Sequence, residues 1–214
     1  IMGIDPGLTK TGFGLISINK DEPKIIDFGI IQPNKNESLS KRLHTIYLDM
    51  EQLIDTFSPT VLSIEDVFYG RNVKSALLLG QARGIAMLCA AKYDIPVFEY
   101  SAKKVKQAIT GNGNADKTQL QYMLKQILKL ERLPSPLDAS DAIGIALCHF
   151  NQIKLNGMPK PILIAGGIIP ENDHTLLHEM GITIIFGPGT ATPSIVDSIV
   201  KAIDARPMRE ATFE

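Results

Sequence analysis

The sequence predicts an α/β protein: a mixed five-stranded sheet flanked by helices, followed by a short βαβα segment. Three observations carry this expectation. The chain opens with three consecutive strand patterns joined by turn residues. Short apolar runs then alternate with longer segments of helical period. After Gln152 the texture changes, with a polar, proline-containing stretch and a second set of glycine-bounded apolar runs.

Taken in order, residues 1–5 form a short buried strand closed by Pro6-Gly7. Thr11–Ile18 is a second strand, with Lys20-Asp-Glu-Pro as its turn, and Lys24–Ile31 a third, giving an antiparallel meander. From Ser38 to Phe57 the apolar residues Leu43, Ile46, Tyr47, Met50, Leu53 and Ile54 recur at the period of an amphipathic helix. A strand at 60–65, a helix near 72–92, a strand at 95–99 and a helix near 102–109 follow. Helices near 116–130 and 138–152 close this part. Ile153-Lys-Leu-Asn-Gly-Met-Pro-Lys, residues 153–160, reads as a linker. Beyond it come a strand from Pro161, a helix from Pro170 to Met180, a strand from Ile182 to Phe186, and a helix from about Pro193 to Ala205. At about 60 residues this last piece is marginal as an independent domain. The expected organisation is a domain over 1–152, a linker over 153–160 and a segment over 161–214.

The composition is that of a soluble globular protein, 44% hydrophobic and 21% charged, with no apolar run able to span a bilayer. No basic, apolar, small-residue pattern of a signal peptide is read in the opening residues, and with Ile1 rather than Met in first place a short missing N-terminal piece is expected. Cys89 and Cys148 both fall in apolar helical runs. They read as buried thiols rather than a disulfide, which suits a reducing cytoplasm. Net charge is -1, which by itself gives no hint of nucleic acid. Residues 1–152, however, hold 17 Lys and Arg against 16 Asp and Glu. With four of those acids neutralised, this part would present about +5 to a partner.

Those four acids are Asp5, Glu65, Asp138 and Asp141. Asp5 ends the first strand, Glu65 ends the run Thr60-Val-Leu-Ser-Ile-Glu, and Asp138 and Asp141 stand three apart at the start of a helix. Each lies where a strand ends or a helix begins, beside residues that would otherwise be core. Charge in an apolar setting is costly unless compensated, and a divalent cation is the usual compensator of clustered carboxylates. Residues three apart share a helix face, so Asp138 and Asp141 can act together. Magnesium fits better than zinc, because no His/Cys set has ligand spacing. Any one of these acids could be a helix cap, a strand end or a solvated side chain; four in this layout point to a two-metal site for phosphodiester hydrolysis. Lys103, Lys104, Lys106 and Lys117 are the main basic cluster and flank a glycine-rich loop. They can bind phosphates without reading sequence, or form a solvated helix face. His149 lies two turns beyond Asp141 and reads as a structural histidine.

The segments Gly3-Ile-Asp-Pro-Gly, Ile64-Glu-Asp-Val-Phe, Ser75-Ala-Leu-Leu-Leu-Gly-Gln-Ala-Arg-Gly and Asp138-Ala-Ser-Asp-Ala resemble the bacterial RuvC-type Holliday-junction resolvases. Val97-Phe-Glu-Tyr, Val105-Lys-Gln-Ala and Gly111-Asn-Gly-Asn-Ala-Asp-Lys extend the match from residue 1 to about 152. The resemblance implies an RNase-H-like fold and a homodimer that makes paired symmetrical nicks across a four-way DNA junction. It also implies a branch-migration helicase complex as partner. It places catalysis and two Mg2+ ions, with Mn2+ as a substitute, on Asp5, Glu65, Asp138 and Asp141. It gives Lys106 and Lys117 roles near the scissile phosphates and Phe68 a stacking role at the opened junction. Arg71 and Asn72, in the same loop as Phe68, are further candidates for phosphate contact, as are Lys103 and Lys104.

Residues 161–205 resemble something else. Ala165-Gly-Gly-Ile-Ile-Pro and Phe186-Gly-Pro-Gly-Thr are similar to the last third of the flavodoxin-like cobalamin-binding module of acyl-CoA mutases. The Asp-x-His-x-x-Gly loop that carries the cobalt-ligating histidine is absent, and His174 and His178 fall in the wrong context to replace it. Cobalamin is therefore not expected to bind there. Two further readings stay open: a non-catalytic junction-binding module, told apart by whether all four acids titrate metal, and a cobalamin-dependent mutase fragment, told apart by the visible spectrum with cobalamin. The division of the chain has its own test. Limited proteolysis of the full chain is expected to leave a stable fragment ending near Gln152; resistance throughout would count against an appended segment.

Overall fold

The computed structural model describes residues 1–20, 22–66, 73–132, 134–156 and 162–205. The chain divides into two compact units, Ile1–Ile153 and Lys154–Glu214.

The first unit runs β1 (Met2–Asp5), β2 (Thr11–Asn19), β3 (Glu22–Ile31), α1 (Leu39–Phe57), β4 (Leu62–Glu65), α2 (Val73–Lys92) and β5 (Val97–Tyr100). It continues through α3 (Ala102–Thr110), α4 (Lys117–Ile127) and α5 (Leu137–Asn156). The five strands form one sheet in the order β3-β2-β1-β4-β5. β1, β2 and β3 pair antiparallel, while β4 and β5 join β1 in parallel. This is the expected mixed sheet, with helical crossovers before each parallel strand.

Strand alternation sorts the side chains to two cores. Met2, Ile4, Leu15, Leu62 and Ile64 face α1 and α2, and are all at most 1% exposed. On the opposite face Ile16 and Tyr100 pack with Val105, Ile109, Leu120, Leu124, Ile143 and Leu147 of α3, α4 and α5. The same alternation sends Asp5 and Glu65 to the α5 face, since each follows an inward-facing isoleucine. Helix boundaries follow local chemistry. The Ser38 side chain accepts from the Lys41 backbone at the start of α1, and Ser101 accepts from Lys104 at the start of α3. Asp116 and Gln119 form a reciprocal capping box at the start of α4. Cys89 and Cys148 are buried free thiols, as their apolar context predicts.

α5 reaches Asn156, four residues into the stretch read as linker. Ile153-Lys-Leu-Asn contains no glycine or proline, so nothing stops the helix before Gly157. The second unit has β6 (Ile164–Gly166), α6 (Glu171–Glu179), β7 (Ile184–Phe186) and α7 (Thr192–Asp204), with β6 and β7 a parallel pair. Its strands have three residues each, shorter than the apolar runs suggest. None of its described residues is buried. Among the described residues, no helix is long and apolar enough to cross a membrane.

One contact sets the depth of the second core. A Cβ on Gly3 would lie 2.1 Å from the Ala142 carbonyl oxygen, and one on Gly12 would lie 2.0 Å from the Asp138 carbonyl oxygen. Both are backbone atoms of α5, which therefore lies directly against β1 and β2. Ala139, Ala142 and Ala146, all fully buried, keep the helix side of this contact equally thin. A methyl group at Gly12 can be accommodated only by moving the helix. Gly12→Ala is therefore expected to destabilise the fold by about 2 kcal/mol or more, read as a lowered urea midpoint with an unchanged slope.

Candidate active site

The four acids expected to form a site do meet. Asp5, Glu65, Asp138 and Asp141 line one cleft of about 290 Å³ with Lys106 and Lys117. Asp5 comes from the end of β1 and Glu65 from the end of the neighbouring parallel β4. Asp138 and Asp141 come from the first turns of α5. Gly12 is the cross-strand partner of Asp5, and its missing side chain lets the Asp138 backbone settle beside Asp5. Apolar walls from Ala102, Val105, Leu120 and Ile145 complete the cleft.

The loop that follows Asp5 is held firmly. The Gly7 amide donates to the Thr11 hydroxyl oxygen at 3.3 Å, and that hydroxyl donates to the Gly7 carbonyl at 2.8 Å. Arg42, on α1, donates to the Leu8 carbonyl at 2.6 Å. Sequence reasoning did not find Arg42, because nothing local links a helix-surface arginine to a loop 34 residues away. On the α5 side, the Ser140 hydroxyl donates to the Pro134 carbonyl at 2.8 Å and ties down the helix start.

The electrostatics follow from crowding like charges in a half-closed cleft. Burial, helped by Glu65, Asp141 and Asp138 nearby, pushes the Asp5 carboxyl up to about 8. Burial also raises Glu65, which shares a hydrogen bond with Asp5. Two carboxyls at this separation cannot both ionise cheaply, and one proton between them relieves the repulsion. Asp141 is compensated differently: the Lys117 ammonium donates to its Oδ2 at 2.9 Å, which in turn raises the lysine. Among the described residues, no three acid, histidine or cysteine side chains converge on a common ion position. The donor set is nonetheless four hard carboxylates without nitrogen or sulfur, the kind that suits Mg2+ or Mn2+.

The other predicted contacts separate. Lys106 and Lys117 reach the cleft. Lys103 lays its aliphatic stem along Gly113, and the Lys104 ammonium sits 5.4 Å from the Tyr100 ring centroid. Phe68, Arg71 and Asn72 lie outside the described residues. His149 is buried, as expected of a structural histidine, with its Nδ1 2.7 Å from the Tyr100 hydroxyl.

A sheet of three antiparallel and two parallel strands, with carboxylates at the ends of its two central strands and on the helix across them, is that of the RNase-H-like nucleases. The profile of one such family, crossover junction endodeoxyribonuclease RuvC, matches residues 1–149. The crossover junction endodeoxyribonuclease RuvC of Alkaliphilus oremlandii is 42% identical over 149 residues, 70% of this chain and 91% of the relative. A structure of Thermus thermophilus RuvC superposes with a TM-score of 0.67 at 28% identity, over 72% of this chain and 94% of that one. A second, of T. thermophilus RuvC in complex with Holliday junction substrate, gives 0.66 at 30% identity, over 69% and 90%. The chain belongs to the RuvC family of crossover junction endodeoxyribonucleases.

The protonated state of Asp5 makes a stability prediction. In the unfolded chain its carboxyl ionises near pH 4, whereas in the fold it holds its proton to about pH 8. Between these values the native state binds the extra proton, so this site's contribution to stability falls as pH rises through the window. Asp5→Asn cannot ionise. In chelator, its melting temperature relative to wild type should therefore climb between pH 5 and pH 9. A pH-independent difference would mean that Asp5 is not held protonated.

Proposed function

We propose that this chain resolves four-way DNA junctions as a homodimer, making paired symmetrical metal-dependent nicks in recombination and repair. The observation that carries the reading is the convergence of Asp5, Glu65, Asp138 and Asp141 with Lys106 and Lys117 in one cleft of a RuvC-family fold. The T. thermophilus relative bound to Holliday junction substrate supports the choice of DNA. The homodimer, a branch-migration helicase partner and a cytoplasmic setting rest on family membership alone.

Asp5, Glu65, Asp138 and Asp141 would hold two Mg2+ ions, with Mn2+ able to substitute. Bound there, the metal supplies activation of water and stabilisation of the leaving oxygen. The four carboxylates are suited to this because their mutual repulsion, now relieved by a proton on Asp5 and by Lys117, favours exchange for cations. Following the family resemblance, Asp5 would serve both ions. Glu65 and Asp141 would share the ions, and Asp138 would complete one shell. Lys117, released from Asp141 when the site is loaded, can meet a phosphate beside Lys106; ammonium groups hold phosphate without reading sequence. Water then attacks phosphorus in line, the bond to the 3′ oxygen breaks, and the ends carry 5′ phosphate and 3′ hydroxyl. Phe68, Arg71, Asn72, Lys103 and Lys104 are proposed to contact the junction around this centre.

The chain is proposed to work as a nuclease domain over 1–152 with an appended segment whose βαβα order is that of a partial flavodoxin-like module. The test is cleavage of a synthetic mobile four-way junction by the full chain, with Mg2+ and with chelator. Paired symmetrical nicks are expected with Mg2+ alone. Asp5→Asn should lower the cleavage rate on the order of a thousandfold while leaving junction affinity within about threefold of wild type. Equal loss of binding would make Asp5 structural rather than catalytic.

A further inference from the structure

Below the cleft lies a buried polar pair that the hydrolysis itself does not use. The Tyr100 hydroxyl and His149 Nδ1 share a hydrogen bond of 2.7 Å, with Tyr100 4% and His149 1% exposed. The Phe98 ring lies against the imidazole, with centroids 4.4 Å apart. Burial pushes His149 down to about 4, so the ring is neutral at working pH and the pair is a hydrogen bond rather than an ion pair. A buried bond of this kind joins its two elements at one fixed offset, because sliding either leaves a polar atom unpaired in the core.

Of the two elements it joins, α5 carries Asp138 and Asp141, and β5 borders the strand that ends in Glu65. Tyr100 is the register partner of Glu65, and its carbonyl accepts from the Asp66 amide at 2.9 Å, so it sits beside the strand end that presents Glu65. It directly precedes Ser101, the cap of α3, from which Lys106 reaches the cleft. His149 lies on α5, eight residues beyond Asp141. The glycine contact with β1 and β2 sets how deeply α5 lies, while sliding along the helix axis is opposed by the buried Ile143 and Leu147 side chains and by Asn151, whose side-chain amide donates to the Ala108 carbonyl at 3.0 Å. The pair also opposes that motion, from β5.

We propose that Tyr100 and His149 are positioning residues, whose bond sets the axial position of α5 so that Asp138 and Asp141 stand opposite Glu65. This rests on the nuclease reading. Tyr100→Phe leaves His149 Nδ1 unpaired. In the full chain it should lower the junction-cleavage kcat by about ten- to a hundredfold, with junction affinity in chelator unchanged. Mn2+ affinity, measured by titration calorimetry, should weaken several-fold.

The double variant Tyr100→Phe/His149→Leu separates positioning from bulk stability, because two apolar side chains remove the unpaired atom and restore the melting temperature. Its kcat and Mn2+ affinity should stay low. Recovery of both alongside the melting temperature would overturn the proposal, as would wild-type kcat in Tyr100→Phe. If the single variant does not fold, the double variant decides by the same two readouts. A wild-type chain that leaves the junction uncut would refute the nuclease reading instead, and the role of the pair with it.

Discussion

The site depends on backbone meeting backbone. α5 lies against β1 and β2 at a distance that leaves no room for a Cβ on Gly3 or Gly12, and the alanines on the facing side of the helix keep the contact thin. A thicker interface would lift α5 away from the sheet, and Asp138 and Asp141 would withdraw from Asp5. The packing that closes the second core is therefore also the arrangement that gathers the acids. Interiors packed to crystal density pass such displacements on rather than absorbing them. Small residues at this contact serve the site as much as the fold.

Gathering four carboxylates costs free energy that the described residues offset in two ways. Asp5 and Glu65 share a proton, which burial and like charges hold far above the ordinary carboxylate range. Asp141 instead takes the Lys117 ammonium. Both arrangements compensate a carboxylate with positive charge, a proton on Asp5 and an ammonium on Asp141, and either could be displaced by another cation. The cleft is thus charged for binding by the same repulsion that makes it costly to build, while the apolar core beneath it secures its walls.

Much of this was legible in the residues. The period-2 and period-3.6 patterns placed every element of the first unit within a few residues, because its strands are bounded by turn residues and its helices by Ser38, Ser101 and Asp116 caps. The four acids stood out as charges at the ends of apolar runs. Less legible was the division of labour among the lysines. Lys103, Lys104 and Lys106 are neighbours in sequence, yet helix geometry turns them in different directions, and only Lys106 of the three lines the cleft. Arg42 and Tyr100 carried no local signal, since their partners lie 34 and 49 residues away. The end of α5 was misjudged because residues 153–156 are polar enough for a linker and regular enough for a helix.

By itself, then, the sequence determined which segments are strands and helices, which faces are apolar, and which acids are out of place in them, because those depend on short-range periodicity and side-chain chemistry. Tertiary structure decided what those residues do to one another. The order β3-β2-β1-β4-β5 makes Asp5 and Glu65 neighbours across 60 residues. The seating of α5 on Gly3 and Gly12 adds Asp138 and Asp141, and the cleft so formed pairs Lys117 with Asp141 and a proton with Asp5. These are distances through space, and electrostatic and packing energies depend on such distances, not on separation along the chain.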